Sequence, residues 1–220
     1  VWDTKNWKLK KVLNEHNKQV LAIAIAPDGK TLYSGGDDKK IIVWSLESFK
    51  KTGELQGHFD RVLSLNISKN GKYMASTGGD RLVKSPGNLK IWNLETQKLE
   101  FNLETETNAI QDAALSSKGT LVLYAGNFSD AILMKWQVNK IAAKKKITEF
   151  GINSVVLHGL QTYLASTYSG DIISWKIGGE SSVIDSHEKD AVSVSLSPNK
   201  SWLVTGGADG KVKLVKVAKE

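Results

Sequence analysis

The chain has 220 residues, 40 % of them apolar and 24 % charged, an ordinary globular balance with enough apolar material for a sizeable core. It contains no cysteine, which excludes a disulfide framework, a thiol nucleophile and a cysteine-based zinc site. The formal charge of +7 asks for a partner with negative charge, and the longest apolar runs, such as 20–26, are far short of a membrane helix, so an intracellular home, cytoplasmic or nuclear and off the membrane, is expected.

In chain order the pattern predicts short strands and no helix. Val1, Trp2 and Asp3 read as the end of a third strand and 7–13 as the outer strand of the same unit, within residues 1–15; a chain that opens inside a unit predicts a window cut from a longer protein. The next unit, 16–56, has strands at 20–26, 31–34 and 41–44, a Pro27-Asp28-Gly29 turn, and an outer strand at 51–55. Unit 57–104 shows the pattern most fully. After Gly57-His58, Val62, Ser64 and Asn66 alternate with Leu63, Leu65 and Ile67; then come the turn Lys69-Asn70-Gly71, a run ending at Ala75-Ser76, a turn at Gly78-Gly79-Asp80, a strand closing on Trp92, and an outer strand at 98–103. Alternation of period two around Asn-Gly is the pattern of a half-buried hairpin. Unit 105–147 turns at Lys118-Gly119, unit 148–186 turns at Gly159, and unit 187–220 stops before a fourth strand.

The units share a register of four residues. Eighteen positions separate His16 from Ser34, His58 from Ser76 and His187 from Thr205, and four further on stand Asp38, Asp80 and Asp209. Six more reach Trp44, whereas Asp80 needs twelve to reach Trp92 because 81–87 contain an insertion of six. A period of about 40 to 45 residues, with Gly-His near its start and Trp-Asp near its end, is the repeat signature of a propeller blade. On these residues, with Pro27-Asp28-Gly29, Ser197-Pro198-Asn199 and Trp2-Asp3, nearly the whole chain resembles the WD40-repeat family. The resemblance implies an all-β propeller of four-stranded antiparallel blades, about five of them here, as a window of the family's usual seven-bladed ring. A closed five-bladed ring, with 7–13 completing the last unit, would leave Val1, Trp2 and Asp3 surplus.

A Ser-His-Asp set invites a hydrolase reading, but a triad occurs once per site and this set occurs three times. The resemblance implies a buried hydrogen-bond chain from Trp through Ser or Thr and His to Asp, where an unpaired group would cost about 1–3 kcal/mol. The remaining histidine, His158, sits beside a turn and is expected to be exposed and idle. Two units depart from the pattern: Glu106 and Tyr124 replace His and Ser while Asp130 and Trp136 stay, and Thr148 and Ser169 replace His and Asp while Ser166 and Trp175 stay. The last unit has Val215 for Trp. Apolar packing should hold these blades, either as drift or as remodelling around a partner. Gly35-Gly36, Gly78-Gly79 and Gly206-Gly207 recur at one repeat position and read as turn glycines. Trp44, Trp92, Trp136 and Trp175 read as core, whereas Trp7 and Trp202 are half-buried strand aromatics or partner contacts. With no phosphate loop, no His-Glu metal pair and no lone nucleophile with a base, neither enzyme activity, cofactor, metal nor small-molecule substrate is expected.

Two surfaces are candidates for partners. The resemblance implies a loop face carrying Asn17, Gln19, Asp37, Phe59, Arg61, Thr107, Tyr168, Glu188 and Asp190, with Arg81, Lys84 and Pro86 of the insertion; Phe59, Arg61, Arg81, Lys84 and Tyr168 have the composition of a protein hot spot. Outer strands carry Lys5, Lys8, Lys10, Lys11, Lys50, Lys51, Lys140, Lys144, Lys145 and Lys146, a basic rim for RNA or a solvated edge that blocks sheet pairing. The expected function is a non-catalytic scaffold for protein–protein interactions in a multisubunit assembly. The alternative is an RNA-associated subunit of a ribonucleoprotein particle of the ribosome-biogenesis type.

Overall fold

The computed structural model describes residues 1–80, 86–106, 108–159 and 161–217, so the expectations for Arg81, Lys84 and Thr107 lie outside the described residues. The fold is an all-β propeller array. It begins with a two-stranded hairpin, β1 (Trp2–Asp3) on β2 (Lys8–Leu9). Blade I follows with β3 (Val20–Ile25), β4 (Thr31–Gly36), β5 (Ile41–Ser45) and β6 (Lys50–Leu55). Blade II has β7 (Val62–Ile67), β8 (Tyr73–Gly78), β9 (Asn88–Asn93) and β10 (Lys98–Glu104). Blade III has β11 (Ile110–Leu115), β12 (Val122–Gly126), β13 (Phe128–Lys135) and β14 (Lys140–Lys146). Blade IV has β15 (Ile152–Leu157), β16 (Thr162–Thr167), β17 (Asp171–Lys176) and β18 (Ser181–Ser186). Blade V has three strands, β19 (Ala191–Leu196), β20 (Trp202–Gly207) and β21 (Val212–Lys216).

Within each blade every strand pairs antiparallel with the next, as short hairpin turns require. Among the described residues β21 has no fourth strand beside it and β2 pairs only with β1, so 7–13 do not complete blade V. One helical turn, Trp136–Val138, corrects the expectation of no helix: Trp136 opens this turn instead of ending a strand. Each first strand carries a bulge one residue in, after Val20, Val62, Ile110, Ile152 and Ala191. Bulges add twist, and these recur where the innermost strands crowd together.

The core lies between blades. Tyr33, Ile41 and Val43 of blade I pack on Val62, Leu65, Met74 and Trp92 of blade II. Leu89 and Ile91 pack on Ile110, Val122 and Trp136; Leu123 and Leu133 on Val155, Tyr163 and Trp175; Leu164 and Ile172 on Val194 and Leu203. Interior blades thus bury both faces, each buried aliphatic side chain contributing about 1.5–3 kcal/mol. The two end blades do not. Ile23 is 66 % exposed on the outer face of blade I, and Leu214 is 62 % exposed on that of blade V.

Candidate functional site

The repeated Ser-His-Asp sets lie inside the blades. In blade I, His16 Nδ1 lies 2.8 Å from Asp38 Oδ2, His16 Nε2 lies 2.7 Å from Ser34 Oγ, and Trp44 Nε1 donates to Ser34 Oγ at 2.8 Å. With the carboxylate accepting, the neutral ring carries its proton on Nδ1, so Nε2 accepts the Ser34 hydroxyl proton. Burial pushes the Asp38 carboxyl up, but the bonds from His16, Lys40 N and Asn17 N outweigh it and hold the pKa below the ordinary value. Blade V repeats the arrangement without Trp: His187 reaches Thr205 at 2.8 Å and Asp209 at 3.0 Å.

Blade II is different. His58 Nε2 meets Ser76 Oγ at 2.6 Å and Trp92 Nε1 donates to the same oxygen at 2.7 Å, but among the described residues His58 Nδ1 is buried without a partner. Asp80 points instead to Arg61 Nη2, at 3.4 Å. The expected set of His58, Ser76, Asp80 and Trp92 is therefore three residues, without Asp80. Asp80 is the last described residue before the insertion. Burial drives the pKa of His58 down to about 3, Lys90 adds to the fall, and Asn88 opposes it. In blade III, Trp136 Nε1 donates to the Gly119 carbonyl at 2.6 Å and its ring meets Tyr73 of blade II edge-on, centroids 5.1 Å apart. In blade IV the register puts Ala165, not Ser166 as expected, at the serine place, because the first hairpin of this blade is one residue shorter; among the described residues Ser166 Oγ is buried without a partner, and Trp175 lies against Tyr163 with centroids 4.9 Å apart.

The loop face gathers the candidate contact residues unevenly. Arg61 bridges blades, its Nε 3.5 Å from Asp37 Oδ1 and its Nη2 3.4 Å from Asp80. Phe59 stands 42 % exposed two residues before it. Tyr168 is half-buried over Gly151 and donates to Asn127 Oδ1 at 2.5 Å; Gln111 donates to the same oxygen at 3.0 Å. Asn17 and Gln19 are exposed on blade I, and Glu188 pairs with Lys211. Sequence reasoning missed Phe150, 64 % exposed on the loop entering blade IV. Its signal was an aromatic residue two positions after Thr148, the histidine position of that repeat.

Asp112 was also missed. It follows the bulge of β11, where the other blades have Ala22, Ser64, Ser154 and Ser193. It accepts from the Ser64 hydroxyl and from Ala113 N at 2.8 Å on one oxygen, and from Ser154 Oγ at 2.7 Å and Val155 N at 2.9 Å on the other. One carboxylate thereby ties blades II, III and IV. Burial raises its pKa, and the bonds from Ser64, Val155, Ser154 and Ala113 partly offset that rise.

Two further expectations are corrected. His158 is 4 % exposed, and its Nε2 reaches the Lys200 carbonyl at 3.1 Å, stapling the first hairpin turn of blade IV to that of blade V. Trp7 is 74 % exposed at the β1–β2 turn, with φ +57°, so it is not a half-buried strand residue. On the outer strands, Lys10 pairs with Asp3, Lys51 with Glu54, Lys144 with Asp130 and Lys146 with Glu149.

The profile of the WD40 family, described as WD domain, G-beta repeat, matches residues 7–45, 49–85 and 178–216. No curated protein matches the sequence. Many solved structures share the fold. A structure of U3-55K superposes with TM-score 0.83 at 21 % identity over 94 % of this chain and 63 % of that one. A crystal structure of RRP9 WD40 repeats gives 0.84 at 22 % over 95 % and 63 %. The chain spans less than two thirds of either, and at such identity the likeness shows the fold alone. The matched stretches hold the three histidine sets and cover more than half of the sequence: the chain belongs to the WD40-repeat family.

Proposed function

We propose that this propeller segment is a non-catalytic scaffold that docks a peptide or a neighbouring subunit on its loop face within a larger assembly. The observation that carries this is a pair of exposed aromatic residues, Phe59 and Phe150, on loops that cross-blade contacts hold in place. Arg61 links Asp37 to Asp80, and Tyr168 and Gln111 converge on Asn127, so little ordering remains to be done on binding. Apolar anchors set among fixed polar groups are the usual composition of a hot spot. The non-catalytic reading is supported by the burial of Ser34, Ser76 and Thr205: a hydroxyl that donates to a histidine Nε2 and, in blades I and II, also accepts from a Trp does not meet a substrate. The test is affinity capture from lysate, with and without RNase, comparing the intact protein with a Phe59→Ala/Arg61→Ala/Phe150→Ala/Tyr168→Ala variant. Partners that persist after RNase and disappear with the variant support the reading. A partner set that the variant leaves unchanged refutes it.

A second reading is an RNA-associated subunit of a ribonucleoprotein particle that uses the basic rim, favoured by the lysines of β14, where Lys140 and Lys144 are exposed. It expects steeply salt-dependent RNA binding that reversing the charge of those lysines abolishes.

A further inference from the structure

A second concentration of charge lies away from the outer strands. It lies on the first hairpin turn of each blade, which joins the first strand to the second on the end of the array opposite the loop face. These turns carry Lys30 in blade I, Lys69 and Lys72 in blade II, Lys118 in blade III and Lys200 in blade V, and all five are exposed. The only acidic residue in the same turns is Asp28, whose Oδ1 is occupied by the Lys30 amide at 2.8 Å. Lys30 reaches Glu47 at 3.1 Å and Lys72 lies over the Tyr73 ring; among the described residues Lys69, Lys118 and Lys200 have no carboxylate within ion-pair distance.

The turns also touch one another. Asn70 donates its amide to the Ser117 carbonyl at 3.1 Å and its side-chain Nδ2 to the Lys118 carbonyl at 3.3 Å, which joins blade II to blade III. Gly71 packs against Pro27 of blade I, and His158 fixes the turn of blade IV to Lys200 of blade V. The turns of blades II and V are stiffened from within: Asn70 and Asn199 accept from the amide two residues on, at 3.1 Å in both. Lysines from four blades are thereby set on rigid neighbouring hairpins.

We propose that this turn face binds the phosphate backbone of a single-stranded nucleic acid. Apart from Pro27, Pro198 and Trp202, which closes the blade V turn and is 39 % exposed, the described residues of these turns offer no exposed aliphatic or aromatic anchor such as a protein partner needs. They offer ammonium groups, hydroxyls and amides, which are the groups that position phosphates. The proposal shares a nucleic-acid partner with the second reading above but uses a different surface, so the two separate in one experiment.

The full chain is titrated with a fluorescein-labelled oligouridylate of about 20 nucleotides, and with its DNA counterpart, across a range of salt. Two variants carry the same change in net charge: a turn variant, Lys69→Glu/Lys72→Glu/Lys118→Glu/Lys200→Glu, and a rim variant, Lys8→Glu/Lys50→Glu/Lys140→Glu/Lys145→Glu. A turn variant with Gln at the same four positions guards against misfolding, and thermal melts check all three. The turn variants should lose affinity on the order of a hundredfold, with the salt slope shallower by about 3, as four lost phosphate contacts on a single strand require, while the rim variant loses far less. Equal losses in turn and rim variants, no binding by the unaltered chain at low salt, or equally tight binding of poly-glutamate would each overturn the proposal, the last in favour of an acidic protein.

Discussion

Ser34 and Ser76 occupy the same place in blades I and II, where blade IV has Ala165, and Ser166 is a buried serine one position further on, so replacing each of the three serines by alanine separates the polar chain from simple burial. Ser34→Ala removes the acceptor of Trp44 Nε1 and the partner of His16 Nε2, bonds of 2.8 and 2.7 Å. Ser76→Ala does the same to Trp92 and His58. Two buried groups left unpaired at about 1–3 kcal/mol each give a loss of roughly 2–6 kcal/mol in either blade. At about 2–4 °C per kcal/mol for a chain of this size, the melting temperature should fall by about 5–15 °C. Ser166→Ala removes a buried hydroxyl that has no partner among the described residues, so it should be neutral or stabilise by up to about 1 kcal/mol. Thermal melts and guanidinium unfolding followed by tryptophan fluorescence report all three. Equal costs at the three positions, or a Ser34→Ala cost below about 0.5 kcal/mol, would show that packing rather than the hydrogen-bond chain sets the effect.

Asp112→Ala deprives Ser64, Ser154 and the Val155 amide of their acceptor and should destabilise by about 2–4 kcal/mol, read by the same unfolding curves; a change within 0.5 kcal/mol or so would refute the inter-blade tie. Because burial lifts its folded-state pKa above the unfolded value, its own titration adds stability at low pH and loses it as pH rises through the folded pKa; Asp112→Asn should remove that component from the pH profile. His58 works in the opposite direction: the unfolded ring takes its proton near pH 6.5 and the buried ring only near pH 3, so stability is lost as the pH is lowered across that window, by at most about 1.4 kcal/mol per unit, and His58→Gln should flatten the slope. Burial raises the Asp209 carboxyl, but bonds from Lys211 N, His187 and Glu188 N prevail and set it at about 2; its contribution is present above pH 3.8 and lost on acidifying toward 2, so Asp209→Asn should shift the acid midpoint upward. An unchanged acid midpoint would place that carboxylate outside the network.

The hairpins were legible because their signals are local: period-two alternation and a Gly or Asn-Gly turn specify a strand pair within a dozen residues. The spacing of His16, Ser34 and Asp38 was legible too, since one repeat holds all three. Asp80 has the same spacing and yet turns to Arg61: spacing alone does not fix the direction of a turn carboxylate. His158 depends on a carbonyl 42 positions away, in the next blade, so nothing near it in sequence marks it as buried. Nor does alternation say how many faces of a strand are covered: Ile23 and Val43 look alike as strand residues, but one faces outward from an end blade and the other faces blade II. The same limit applies to charge. Runs such as Lys144, Lys145 and Lys146 draw the eye because they are contiguous, yet in the fold two of the three face carboxylates. Lys30, Lys69, Lys72, Lys118 and Lys200 are scattered over 170 positions and become neighbours because a repeat places its turns at one end of the array, blade after blade. In a repeat protein a binding surface is read down equivalent positions, not along the chain.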